Sequence, residues 1–285
     1  MHEKGISVTL STVILTAVVL SLVISIGLFA SNVVEWQNQA MEFEEAKVNY
    51  IALAELIEHV AMKPNSSGYI RINSRAGGPY FIETGDKVKI RLPDSGSEGE
   101  VLDENVCIVA YKGGSLVSTG SYSILRGITS GLPVQAEEKV LVKPGEESIP
   151  LGWVYTMQEN GAWICIDFAR ARVTRIGVFA FVEYVDSTQE VGNYGIVEIT
   201  YIKIFFPAGK LGGSGVFFIK ARNYEIIRWD PRKYDSTSIT IHIWREKSDG
   251  TLVSDDEITI SFSGINNFKG IIVYVNIVRV AISTR

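Results

Sequence analysis

The sequence predicts an α+β protein: a long N-terminal hydrophobic helix followed by an all-β extracellular head of β-sandwich, Ig-like type. Three observations predict it. Residues 6–34 carry no charged side chain. Residues 36–62 hold apolar side chains at helical spacing, with no proline or glycine. From Gly68 onward the periodicity changes to two, and short β-rich runs alternate with Gly- and Pro-rich turns.

The run at 6–34 outlasts the roughly 20 residues that cross a hydrocarbon core. In water it would leave an uncovered apolar cylinder, so it belongs in lipid or among similar helices. Residues 1–5, MHEKG, form a polar leader. No small-residue cleavage pattern closes the apolar run, so it is expected to be retained. Acids at Glu35, Glu42, Glu44 and Glu45 crowd its far end, which favours an inside N-terminus and an outside head.

Residues 35–62 read as an amphipathic continuation of the helix. The stripe Trp36, Ala40, Phe43, Tyr50, Ala54, Ile57 and Ala61, widened by Ile51, Leu53 and Leu56, is its apolar side. Glu42, Glu44, Glu45, Lys47, Glu55 and Glu58 fill the other side. Trp36 suits either an interfacial anchor or packing on the head. Pro64 through Gly68 stop the helix. Unbroken from 6 to 62, it would be about 85 Å long.

The head occupies residues 66–285, with a candidate joint near 143–150 between Pro144 and Pro150. Val88, Ile90 and Leu92 alternate with Lys87, Lys89 and Arg91, a strand with one wet face. Glu83 to Asp86 reads as a turn before it, and 115–117 as a short strand. Asn160-Gly161 marks a hairpin, because both residues tolerate positive φ. Further strands are expected at 106–111, 176–185, 197–206, 238–244 and 271–282.

Composition excludes several functions. Hydrophobic residues are 46% and charged residues 21%, as in globular proteins. Net charge is −5 and no Arg-rich run occurs, so no nucleic-acid partner is expected. The three histidines, His2, His59 and His242, stand in a leader, a helix and an alternating strand. No catalytic, phosphate-binding or dinucleotide motif is present, so no enzyme, no cofactor and no metal is expected. Asp255-Asp256-Glu257 lacks the spacing of a calcium loop and reads as a solvated turn. The glycines at 212, 213 and 215 read as a flexible hairpin end. Cys107 and Cys165 each sit in an apolar strand-like run; a disulfide and two separate buried thiols both stay open. Asn65-Ser66-Ser67 is a glycosylation acceptor triplet on a surface loop.

Lys4-Gly5 followed by Ile6-Ser7 and a long uncharged helix resembles archaeal type IV pilin-like precursors with a class III signal peptide. The resemblance covers about the first sixty residues, since the helix continues in an amphipathic half toward a β-rich head, the family's layout. It implies cleavage by a membrane prepilin peptidase between Gly5 and Ile6, with Lys4 and Gly5 as recognition residues. Leu10 stands where bacterial members carry glutamate. Independently, Ala17, Ser21 and Ser25 are four apart and offer a small face for close helix packing. The expected partners are therefore the membrane, other copies through this helix, the peptidase and other envelope proteins. A permanent anchor whose head binds an envelope component is the alternative.

Overall fold

The computed structural model describes residues 3–93, 99–120, 122–127, 139–185, 188–207 and 213–284. Among the described residues one helix, α1 (Glu3–Ala61), precedes fourteen strands. It ends one residue short of the expected position. Beyond it, Asn65 takes a left-handed φ of 60°, which lets the chain reverse into the first strand.

The strands are numbered in chain order and form two seven-stranded sheets. The first contains β1 (Ser67–Ser74), β5 (Leu141–Val142), β8 (Ala171–Val185), β9 (Thr188–Phe205), β10 (Gly215–Arg228), β11 (Arg232–Tyr234) and β14 (Phe268–Thr284). Its order is β1-β10-β14-β9-β8-β5, with β11 paired beside β14. The second contains β2 (Gly78–Leu92), β3 (Gly99–Lys112), β4 (Tyr122–Arg126), β6 (Trp153–Gln158), β7 (Ala162–Asp167), β12 (Ser238–Glu246) and β13 (Leu252–Ser261). Its order is β13-β12-β2-β3-β7-β6-β4. Pairing is antiparallel except β9 with β14 and β5 with β8. Strands from before and after residues 143–150 pair in both sheets: β1 with β10, β2 with β12 and β3 with β7.

The β6–β7 hairpin turns at Asn160 and Gly161, with φ of 51° and 127°. Elsewhere local signals and structure differ. The turn expected at Glu83 to Asp86 is a bulge inside β2, around Gly85 at φ 79°. Residues 115–117 form a turn closed by Val117 N–H on the Gly114 carbonyl, not a strand. Asp255-Asp256-Glu257 lies within β13, opposite Trp244, Ile243 and His242, rather than in a turn. On this outer strand Asp255 and Glu257 stay exposed, while Asp256 is half-buried and accepts the Val140 N–H at 3.0 Å.

Alternation fixes where the core sits. Val88, Ile90, Ile108 and Ala110 point to one side of the second sheet; Phe81, Val109 and Tyr111 point to the other. The first side meets Val197, Ile199 and Tyr201 of β9 and Ile271, Val273, Val275 and Ile277 of β14. Further along the same two strands the buried set changes parity to Ile202, Ile204, Val278, Val280 and Ile282. These lie with Phe43, Tyr50, Leu53 and Ile57 of the helix. Thus the two long parallel strands bury opposite faces at their two ends. Cys165 belongs to the first cluster and Cys107 packs against the second, so both are free thiols on opposite sides of one sheet. Burial pushes the Cys107 thiol up to about 11 and the Cys165 thiol up to about 12.

Candidate functional site

The helix divides into a bare half and a docked half. From Leu10 to Val34 its large apolar side chains are exposed, Phe29 at 70%, except for the half-buried Val33. It is long and apolar enough to cross a membrane. Ala17, Ser21 and Ser25 are all exposed on this half. Ser25 Oγ donates to the Ser21 carbonyl at 2.8 Å, and Thr16 does the same to Thr12. Such back-bonding satisfies the hydroxyls within their own helix, as an apolar surrounding demands. Lys4, Gly5 and Ile6 fall in the first turns of α1, but their side chains lie outside the described residues.

Trp36 is 53% exposed. An exposed ion pair between Glu35 and Arg75 at 3.4 Å comes first, and buried docking begins at Gln39, whose Oε1 accepts the Leu116 N–H at 3.0 Å. Phe43, Ala46, Tyr50, Leu53, Ala54, Ile57, Val60 and Ala61 are then buried in succession. Midway, the Tyr50 hydroxyl donates to the Ala110 carbonyl at 2.7 Å. At the far end, Asn223 of β10 donates from Nδ2 to the carbonyls of Val60, Ala61 and Lys63, each at 3.2 Å. These are among the carbonyls a helix end leaves unpaired.

Two acids read as solvent-facing from the sequence prove to be clasps. Glu42 accepts hydrogen bonds from the Tyr111 hydroxyl (2.5 Å), Ser74 Oγ (3.0 Å) and the backbone amides of Arg75, Ala76 and Gly77. Burial pushes its carboxyl upward, but the bonds from Tyr111 and the three amides outweigh that and hold it below its ordinary value. For Tyr111, burial first and the bond to Glu42 second push the phenol well up. Glu58 receives the Arg126 guanidinium at 2.8 and 3.3 Å and the Gly152 N–H at 2.7 Å. The missed signal was position: Glu42 adjoins Phe43 and precedes Ala46 by one turn, and Glu58 adjoins Ile57 and follows Ala54 by one turn. Both therefore border the apolar stripe.

No family model, curated protein or solved structure matches the chain. Among the described residues no group of three or more His, Cys, Asp or Glu side chains is placed to hold a metal ion. His242 stacks on Trp244 with centroids 4.8 Å apart and meets the Asp255 carboxylate across the strand pair. Arg245 bridges Asp86 and the fully buried Asp167 through bonds of 2.9 and 2.8 Å. That is a structural ion network, closed on itself, with Asp167 also accepting the Ala169 N–H. Asn65 is exposed on the turn between helix and head, so its acceptor triplet is accessible.

Proposed function

We propose that this chain is a pilin-like surface subunit. Its N-terminal helix sits in the membrane after synthesis, with the N-terminus inside. After leader removal the same segment moves into a core of identical helices, and an outward Ig-like β-sandwich head carries adhesive or lattice contacts. The single observation that supports this is the division of α1. Among the described residues its side chains from Leu10 to Ser31 are exposed, and its second half is clasped to the head from Gln39 to Ala61. A subunit that exchanges lipid for sister helices needs an apolar segment free of its own head and a head that follows that segment rigidly. Lipid and a helix bundle are similarly apolar, so close packing at Ala17, Ser21 and Ser25 decides the exchange.

Co-expression with an archaeal prepilin peptidase, followed by mass determination of the purified chain, tests the proposal. The expected product begins at Ile6, and Gly5→Trp abolishes its formation. A chain that keeps MHEKG in the presence of active peptidase refutes leader removal and leaves the permanently anchored head as the reading.

A further inference from the structure

Where the second halves of β9 and β14 turn their even-numbered side chains to the helix, their odd-numbered side chains face the other way, together with the odd-numbered side chains of β1 and the even-numbered ones of β10 from Phe218 to Arg222. The register sets Tyr69 opposite Lys220, Arg71 opposite Phe218 and Ser67 opposite Arg222. Aromatic rings and cations are thus interleaved on one exposed sheet face. Tyr69 is 68% exposed and meets Phe218 edge to face, with centroids 6.0 Å apart. A groove of about 590 Å³ is lined by Ser67, Gly68, Tyr69, Phe218 and Lys220.

The charges on this face are not balanced. Arg279 and Lys203, farther along it, have carboxylate partners in Glu225 and Glu104. Among the described residues Lys220 and Arg222 have none, and Arg71 bonds only the Asn73 amide oxygen, at 3.1 Å. Arg71, Lys220 and Arg222 therefore form a local cationic cluster on a chain of net charge −5. It was invisible in the sequence because Arg71 and Lys220 are brought together only by pairing of β1 with β10. Such a cluster is complementary to an anion, and the open rings beside it suit a ligand with an apolar face.

We infer that this face binds an acidic polysaccharide through its hexuronate residues. A hexuronate carries its carboxylate on the rim of a ring whose C–H face packs on an aromatic side chain. The cross-strand neighbours Tyr69 and Lys220, with Cβ atoms about 5 Å apart, match that short separation of apolar face and charge. Arg222 lies two residues on, about 7 Å along the strand, and takes the carboxylate of a further sugar. A nucleotide fits less well: its phosphate is set away from the base by the pentose. Moreover, Tyr69 and Phe218 stand at 62° to each other, so they offer no parallel platform for successive bases. The inference concerns the head alone and stands whether or not the leader is removed.

The test uses the full chain in detergent micelles, titrated by calorimetry with oligogalacturonate, with a neutral dextran oligosaccharide and with oligothymidylate. Oligogalacturonate is expected to bind, dextran not to bind, and added salt to weaken the binding. Tyr69→Ala and the pair Lys220→Ala with Arg222→Ala should each weaken it by about tenfold or more, about 1.4 kcal/mol. All three positions are exposed, so the variants should keep the parent's unfolding midpoint. Absence of oligogalacturonate binding, binding that ignores these substitutions, or tighter binding of oligothymidylate would each overturn the inference.

Discussion

The Tyr111 hydroxyl donates a 2.5 Å hydrogen bond to Glu42 Oε1, joining the second sheet to the helix across sixty-nine positions of sequence. Tyr111 is buried and touches both Phe43 and Tyr50 through its ring. The bond thus caps an aromatic cluster rather than standing alone. Tyr111→Phe keeps the ring contacts and removes one donor, so a loss of about 1 kcal/mol is expected. Glu42→Ala removes the acceptor for five groups and should cost more, about 2 kcal/mol after allowance for its partial exposure. Denaturant unfolding measures both. The double variant should lose less than the sum, because the two changes delete one shared bond.

The same carboxylate makes the joint sensitive to acid. Its pKa in the folded protein lies below the ordinary 4.5. The unfolded chain therefore takes up the proton first as pH falls. The stabilisation is fully present above pH 4.5 and is lost as pH drops through the lower folded value. Hydrogen exchange at the amides of Arg75, Ala76 and Gly77 should speed up over that window. In Glu42→Gln that acid-dependent step should vanish.

Arg245→Leu should be far more damaging than any surface change. Asp167 is fully buried, and the substitution removes the guanidinium that pairs with it at 2.8 Å. Loss of one partner from such a pair costs about 3–5 kcal/mol. The unfolding midpoint should fall accordingly. Replacing Asp86, Asp167 and Arg245 together by apolar residues should recover part of the loss.

The helix end offers a separate check. Asn223→Ala removes the amide that serves three carbonyls between Val60 and Lys63. A cost of about 1 kcal/mol is expected: the buried Ala61 carbonyl loses its donor, while those of Val60 and Lys63 keep their bonds from Ser66. Exchange should rise first in the last turn of α1 and leave Tyr50 and its neighbours protected.

Cys107 and Cys165 should react only on unfolding. Their thiols are raised by burial to about 11 and about 12, so little nucleophilic thiolate exists at neutral pH. A maleimide should label neither in the native chain and both in denaturant, and reducing agent should leave the unfolding midpoint unchanged.

What the sequence shows of this architecture depends on the range of the forces involved. The charge-free run at 6–34 and the break at Pro64 are local facts, so α1 is legible almost to its last residue. So is the Asn160-Gly161 hairpin. The solvent side of the docked helix was half legible: Glu44 and Glu55 are exposed as expected, but Glu42 and Glu58 are not free. Nothing near them in the chain announces the amides of residues 75–77 or the Arg126 guanidinium. The bulge at Gly85 imitates a turn because both need the same positive φ. Non-local pairings such as β1 with β10 leave no trace in a window of ten residues, and the cationic cluster on that pair was missed for the same reason.

The seam between helix and head runs parallel to the helix axis for about 33 Å, from Gln39 to Ala61. A pull applied to the head along that axis would load Glu42, Tyr50, Glu58 and Asn223 together, in shear, instead of opening them one after another. Mechanical strength in this molecule thus comes from sharing, and its weakest direction is a sideways peel that starts at the Gln39 end.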